Sequence, residues 1–599
     1  MKKIRSCYGV ALSILLLSLV ISGSVKCAVA QGEQYFFTLS LIYRAGDTTD
    51  DAIAHIVKTE LAKIGINVVL DTFEWGTFLD RVFFGGAGKT YDEGGWDMHI
   101  CYWIYDVADY DPRSVWHSSA ISPNGYQPYG WKNGIADDLI ERAEKTWNFT
   151  ERGQLYKKFQ EEVFKDHPYA FLYIPKFAYV MDPEIENFEP IETVRDLSEV
   201  TVRGKTEEDD ITLIFAMGAD VKNIGPVLPK DTWTIVVANN LYNALFKIVY
   251  DPETDGYKLA PDIAESYEIS PDGLTMTVKL RDDVYFSDGV KLTSKDVKMT
   301  IDAHRTKETG SVRYSIVATA LGDITERPDA VETPDDYTVV FHFKQVYAPF
   351  LALLADRGEF GIAPAHILDE VPREEWINHW MNTGEGGKYP VGTGPYKISK
   401  WVKDEYIELV PNEYYFGKKP FVDRWIIKII PEASTALAAM ENHEIDVLHY
   451  QSVPPAEVSR LENRTDLKVL KYLHPGFNGI GFNLNHPILN NVYVRWAISY
   501  AIPRDYIIEK VLHGMGASGA GPVPPHIKWA YNPNYTSAQI PYDLEKAKEY
   551  MEKAGYNYEW LTQKPAPFPY EWIAGTLILG VAAGVSGGYV IAKRKIQKT

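Results

Sequence analysis

Residues 96–112, Trp-Asp-Met-His-Ile-Cys-Tyr-Trp-Ile-Tyr-Asp-Val-Ala-Asp-Tyr-Asp-Pro, hold the densest chemistry in the chain. Asp106, Asp109 and Asp111 stand among Tyr102, Trp103, Tyr105 and Tyr110, directly after an apolar run that reads as a strand. Carboxylates so placed hold a cation through charge-assisted hydrogen bonds, and the rings stack flat ligands. The competing reading is a buried strand followed by an aspartate-rich turn, because aspartate is also a turn residue. What the chain builds around this stretch decides between them.

Other motifs supply no reactive site. Gly514-Met-Gly516-Ala-Ser-Gly519 has the spacing of a dinucleotide loop. It follows a helical pattern and runs into Pro522, whereas that loop needs a strand before it and a helix after it. Gly584-Val-Ser586-Gly-Gly588 has nucleophile-elbow spacing but lies inside an unbroken apolar segment. HExxH, Walker A and paired CxxC patterns are missing from the sequence and its histidines are scattered, so no cofactor, metal or hydrolytic reaction is expected.

A chain of 599 residues exceeds one core, so two or three domains are expected, and 46% hydrophobic with 13% aromatic content is globular. The net charge of −20 argues against nucleic acid as a partner. Lys2, Lys3 and Arg5, an apolar run over 10–21, and Ala28-Val29-Ala30 read as a secretory signal cleaved after Ala30. Lys26 precedes Cys27 where lipid attachment needs a small residue. Cleavage removes Cys7 and Cys27 and leaves Cys101, so no intrachain disulfide is expected.

Near the other end, the 21 residues 572–592 are apolar and, at about 1.5 Å each, match a bilayer core. Lys593, Arg594, Lys595 and Lys598 follow. The expectation is a transmembrane anchor with an extracellular ectodomain and a cytoplasmic C-terminus, a single-pass protein of the cell membrane. Asn148, Asn463 and Asn534 each begin an Asn-x-Thr glycosylation pattern.

The elements that would position the focal loop follow from periodicity. Residues 36–44 alternate as a strand. Ile53, Ile56, Val57, Leu61 and Ile64 recur at helical spacing, Gly65 stops the helix, and 66–70 begins a second strand. This is a βαβ unit with a parallel sheet. The strand from Trp96 joins it and delivers the acidic loop beyond a carboxyl end, where ligands of open α/β sheets bind.

Helices are expected over 136–146 and 151–165, strand over 169–181, a polar linker over 195–210, and a fresh strand from 211. Leu274, Met276, Val278 and Leu280 alternate after the turn Pro271-Asp272-Gly273, which gives a hairpin. Thr293 with Asp296 is a capping box. Further helices are expected over 432–441, over 492–514 with a break at Pro503, and over 543–554, ended by Gly555.

Ala264-Glu-Ser-Tyr267, Leu274-Thr-Met-Thr-Val-Lys-Leu-Arg281 and Tyr285-Phe-Ser-Asp288-Gly289, followed by 293–297, resemble the signature of the oligopeptide and dipeptide class of extracellular solute-binding proteins. These are the receptors of ABC importers, family 5. Val391-Gly-Thr-Gly-Pro-Tyr-Lys397, 412–415, 430–446, Phe482-Asn483 and 494–504 resemble further blocks of that class, as do 37–181. The order departs from the family. Relatives begin with the strand seen here at Ile211 and end with the one near 169–181, so the chain resembles a circular permutation of the family pattern. Exposed, neighbouring termini make that rearrangement physically easy. The alternative is a fusion or assembly artefact.

The resemblance implies an α/β, two-lobed periplasmic-binding-protein-like clamp with a third subdomain, carrying in addition the C-terminal transmembrane helix. After the signal peptide, 1–30, lobe 2 would begin with 31–170, and 171–210 would hold the crossover strands and permutation linker. Lobe 1 would span 211–475, including the small subdomain near 240–370. Lobe 2 would resume over 476–562, before a short linker, 563–571, the anchor and the tail, 593–599.

It further implies an ABC transporter permease as partner and a captured solute. The solute would be a peptide whose α-ammonium pairs with Asp109 in Ala108-Asp109-Tyr110, with Trp75, Trp103, Tyr105 and Tyr110 offering stacking surfaces. Core packing is the competing role for each aromatic residue. Asn483 lies in a crossing segment as a ligand contact or a structural residue. An oligosaccharide is the alternative ligand, because aromatic faces also stack on sugar rings. A secreted hydrolase and a surface-layer component are the readings of a different class.

Overall fold

The computed structural model describes residues 34–562 except 106–109, 123–124, 192–194, 229 and 252–255. The expected signal peptide, short linker, membrane anchor and tail lie outside the described residues. Among the described residues no helix is long and apolar enough to cross a membrane.

The expected βαβ unit is present. Strand β1 (Phe37–Arg44) runs parallel to β2 (Ile66–Phe73), joined by helix α1 (Thr48–Ala62). Asp47 caps α1 by accepting from the amides of Thr49 and Asp50, and Gly65 closes it at φ 80°. Ile53, Ala54, Val57 and Leu61 face the sheet and are buried. The focal strand β3 (Met98–Ile104) lies parallel to β1.

Helix α2 (Trp75–Phe83) follows β2, while α3 (Gly134–Glu144) and α4 (Phe149–Asp166) are capped by Asn133 and Asn148. These caps start both helices two residues before the apolar periodicity does. Residues 169–181 form one unbroken strand, β4 (Tyr169–Met181).

The second half of the sheet begins with β5 (Thr212–Met217). It continues with β6 (Tyr396–Val402), β7 (Tyr406–Pro411), β8 (Arg424–Ile429), β9 (Val447–Leu448) and β10 (Lys468–Leu473). The chain then returns with β11 (Gly476–Phe482) and the short β12 (Gly516–Ala517), which pairs with β4. Gly516 of the rejected glycine motif thus sits in a strand and not in a phosphate loop.

The sheet order is β6-β7-β8-β5-β9-β4-β11-β3-β1-β2. Strand β4 holds it together. Its first half pairs with β11, from Tyr169 to Tyr173, and its second half pairs with β10, from Lys176 to Met181. Only His474 and Pro475 separate β10 from β11, so two adjacent strands cross from one half of the sheet to the other.

A separate four-stranded antiparallel sheet comprises Ala264–Ile269, Thr275–Leu280, Val331–Asp335 and Thr338–His342. It has its own core of Met276, Val278, Val339 and Phe341, beside helix α5 (Ser294–His304) with the expected Thr293 and Asp296 capping box.

The expected linker over 195–210 needs correction. Arg195, Leu197 and Val200 are buried. The Arg195 guanidinium lies 4.6 Å from the Tyr179 ring centre, and Asp196 pairs with buried Arg357 at 2.8 Å. Only 203–209 form an exposed, turn-like connection, with the Lys205 amide donating to Val202 and the Asp209 amide to Thr206. Charged residues misread as solvated here make a desolvated ion pair and a cation–π contact instead.

Candidate ligand-binding cleft

Strand directions locate the cleft. Both β3 and β4 run antiparallel to β11, and β1 is parallel to β3, so β1 and β3 point the way β4 leaves its first half. Strand β9 runs antiparallel to β4, with β5 and β8 parallel to β9, so these three point back toward the crossover. The carboxyl ends of both halves therefore converge on the crossing strands, the position where open α/β sheets bind ligands.

At that junction the polar and aromatic side chains interlock. The Tyr102 hydroxyl lies 2.6 Å from His474 Nδ1, and Phe177 stacks on Tyr450 with centroids 4.5 Å apart. Trp233 meets His449 at 4.4 Å. Burial pushes His474 down to about 3, so its imidazole is neutral and one ring nitrogen serves as acceptor. At the edge of the second half, Trp401 Nε1 donates to Asp220 at 3.1 Å, with the Lys403 ammonium over its ring.

The sequence-predicted residues distribute unevenly around this junction. Asp109 and Asp106 lie outside the described residues. Tyr110 is fully buried, donates its hydroxyl to the Pro522 carbonyl at 2.7 Å and packs on Tyr105 with centroids 5.1 Å apart. Tyr105 accepts from Trp116 Nε1 at 3.0 Å. Tyr110 therefore has no open face for a ligand and works as core. Trp103 is half-buried, edge-on to Phe83 at 5.7 Å.

Trp75 is 50% exposed at the carboxyl end of β2, stacked on Phe78 with Arg44 beside it. It is the predicted aromatic residue with an open face. Asn483 sits at the opposite end of the sheet. There its amide donates to the carbonyls of Lys89 at 2.8 Å and Trp96 at 2.9 Å, which pins the loop before β3. Asn148, Asn463 and Asn534 are exposed, and Asn148 spends its side-chain oxygen on the cap of α4. Cys101 is a half-buried free thiol.

Several residues of the junction carried little sequence signal. Asp50 stands in the first turn of α1, where an acid ordinarily complements the helix dipole. In the structure it faces Asn478 of β11, and burial and the charge of Asp47 push its carboxyl up to about 7. Asp111, two residues beyond Asp109, accepts from the Tyr347 hydroxyl of the small subdomain. Nearby, the Ala348 amide donates to the Glu144 carbonyl at 2.8 Å. Arg113 grips Glu144 through two bonds of 2.5 Å. The loop that carries Asp109 is thus fastened at its far end to the small subdomain. Among the described residues no group of His, Cys, Asp and Glu has the arrangement of a metal site.

A clamp-like sheet crossed by two strands, with convergent carboxyl ends and a small third subdomain, is the architecture of a solute-binding protein. The family description of the bacterial extracellular solute-binding proteins, family 5, middle region, matches residues 258–575. The chain belongs to that family. Members of this family are solute-binding transport receptors and not enzymes.

The oligopeptide-binding protein AppA of Bacillus subtilis is 30% identical over 320 residues, covering 53% of this chain and 55% of AppA. The dipeptide-binding protein of Escherichia coli is 31% identical over 365 residues, covering 57% and 63%. The chain spans about half the length of the curated relatives it matches. Among solved structures, AppA with a nonapeptide overlaps at a TM-score of 0.44 and 26% identity, over 58% of this chain and 64% of AppA. Helicobacter pylori DppA with the peptide STSA overlaps at 0.45 and 29%, over 58% and 66%.

The expected location in the cell membrane with a cytoplasmic C-terminus is corrected. The family is described as extracellular, and no helix among the described residues spans a membrane. An apolar run of membrane length is not by itself a spanning helix.

Proposed function

We propose that the protein captures peptides in the cleft between its two lobes and presents them to an ABC transporter permease. Lobe 2 combines 31–170 with 476–562, and lobe 1 runs over 211–475. The observation that carries this reading is the convergence of strand ends on the β4 and β11 crossing, and Ala108-Asp109-Tyr110 comes soon after β3 in the sequence. Relatives named as oligopeptide- and dipeptide-binding proteins support the ligand class. Asp109 anchors the peptide ammonium, and backbone groups and water accept the varied remainder. Closure of the lobes then buries the ligand and forms the surface that a permease recognises.

Calorimetry with a peptide series tests the anchor. Asp109→Ala is expected to lose at least about tenfold in peptide affinity, the weight of one charge-assisted bond, while the thermal melt stays in place. Unchanged affinity overturns the assignment. Trp75, with its open face, favours an oligosaccharide as the second reading. A thermal-shift screen of peptides against oligosaccharides separates the two, because a ligand that binds the folded receptor raises its melting point.

We further propose that the chain order is a circular permutation. Two contacts support it. Phe36 and Phe37 at the start of β1 pack on Tyr556 with centroids 5.1 and 4.9 Å apart, so the segment after Gly555 arrives where the family's order continues into β1. The exposed turn over 203–209 joins the other pair of ends beside β5. Intact-mass measurement on protein purified from its source is expected to give one polypeptide with both segments, and two polypeptides end the idea.

A further inference from the structure

At the carboxyl end of β1, among the described residues, stand a carboxylate with no basic partner and, facing it, a buried amide oxygen with no hydrogen-bond partner. Asp50 projects from the first turn of α1, at the carboxyl end of β1. Among the described residues no lysine, arginine or histidine nitrogen comes within 4.0 Å of its carboxylate, although many such pairs are formed elsewhere. Arg44 acts on Asp50 only at a distance, because its guanidinium is engaged by Asp47 at 2.5 Å.

Asn478 lies opposite, on β11, between Tyr102 of β3 and Tyr173 of β4. It is 7% exposed, and its amide group faces Asp50 while its Oδ1 has no hydrogen-bond partner among the described residues. Leaving a buried carbonyl oxygen unpaired is costly, and buried polar atoms are nearly always matched. The chain keeps this one unmatched beside a carboxylate without a base. The complement both atoms lack is a cationic donor.

We propose that Asp50 and Asn478 form a second cation seat in the cleft, which takes the lysine or arginine side chain of a bound peptide. This rests on the peptide-receptor reading and adds a specificity to it. An ammonium has three donors and a guanidinium five, enough to serve the Asp50 oxygens and Asn478 Oδ1 together. Tyr43, Tyr102 and Tyr173 border the seat and supply the ring faces and polar tips that surround a desolvated cation well.

The location suits a side chain and not the peptide terminus. Strand β1 is the neighbour of β3, and the Ala108-Asp109-Tyr110 loop follows β3. Neighbouring strands lie about 4.8 Å apart and an extended peptide advances about 3.3 Å per residue. An extended peptide that crosses the sheet from the end of β3 therefore passes the end of β1 within a few residues. Burial and the charge of Asp47 raise the Asp50 carboxyl, and a bound cation would favour its ionised form.

The test is calorimetry on the whole secreted chain with tripeptides of alanine carrying lysine at position two or three, each matched to a norleucine peptide with the same stem and no ammonium. The better lysine peptide is expected to bind at least about tenfold more tightly than its norleucine partner. Asp50→Asn is expected to bring that ratio close to one. A ratio near one in the native protein, or a ratio that survives Asp50→Asn, overturns the proposal.

Should Asp50→Asn melt early, Asn478→Leu carries the same readout, because it removes the second acceptor from another strand. If no peptide of either kind binds the native protein, the peptide-receptor reading fails and the cation seat falls with it. If peptides bind without a lysine preference, only the seat fails.

Discussion

Asn478 lies near the start of β11 and Asn483 directly follows its last residue, and both are buried. At the far end of the sheet, Asn483 is fully matched. Its amide serves two carbonyls, its Oδ1 accepts from the Asn485 amide at 3.1 Å, and its own backbone amide reaches Asp97 at 3.0 Å. At the cleft end, Asn478 faces an acid that has no base and keeps its oxygen unpaired. The same side chain type is thus a structural staple in one place and keeps an unmatched acceptor in the other. Burial alone does not separate the two roles, but the census of partners does.

The largest break of that contrast is at Asn483. Asn483→Leu strands the carbonyls of Lys89 and Trp96 and the Asn485 amide, and is expected to destabilise the protein by about 3 kcal/mol in urea unfolding. The loop over 84–96, which leads into β3, should lose its protection from hydrogen exchange first. A loss below about 1 kcal/mol would mean that the staple is dispensable and that the comparison rests on the cleft end alone.

Asp50 gives the next effect, and its sign follows from its raised pKa of about 7. At pH 4 the carboxyl is protonated in the folded chain and a little under half so in the unfolded one, so little of the penalty has yet developed. As pH rises toward 7 the unfolded chain gives up the proton while the folded chain keeps it, so stability falls through this window. Above 7 the penalty is complete. Asp50→Asn removes it, and the variant is expected to exceed the native protein by about 1 kcal/mol at pH 8 and to match it at pH 4, after allowance for partial exposure.

The groups that face Asp50 are Tyr43, Arg44, Asp47 and Asp51 around β1 and α1, Cys101 and Tyr102 on β3, and Tyr173 on β4. Glu144, also pushed up to about 7 by burial, titrates in both proteins and cancels in the difference. A native-minus-variant curve that is flat from pH 4 to 8 would remove Asp50 as an unpaired acid.

Much of the fold was legible because it is written in periodicity. The βαβ unit, the hairpin over 264–280, the Thr293 capping box and the helix stop at Gly65 follow from alternation, caps and glycine, which are local. The packed stretch 195–202 was not legible. Its charges read as solvated, and only the distant Arg357 and Tyr179 show that they are buried.

The candidate site divides the same way. The acidic aromatic loop and its place after a strand are local features. The burial of Tyr110 against Pro522, 412 residues on, and the meeting of Asp50 with Asn478 depend on strands that pair across most of the chain. Asp50 was hidden by its ordinary surroundings in sequence, since an acid in the first turn of a helix needs no explanation.

The finest test of the contrast repeats the first substitution at the other end of the strand. Asn478→Leu removes an amide that serves Asp50 and an oxygen that serves nothing, and puts apolar volume between Tyr102 and Tyr173. Removal of an unmatched acceptor relieves a desolvation penalty, and this offsets the lost contact to a carboxyl that is half protonated near neutral pH. The expected cost is below about 1 kcal/mol, roughly a third of that at Asn483, although both side chains are buried. Urea unfolding of the two leucine variants side by side reads the difference directly. Equal losses would show that Asn478 holds the sheet together as Asn483 does, and its unpaired oxygen would then have no bearing on what the cleft binds.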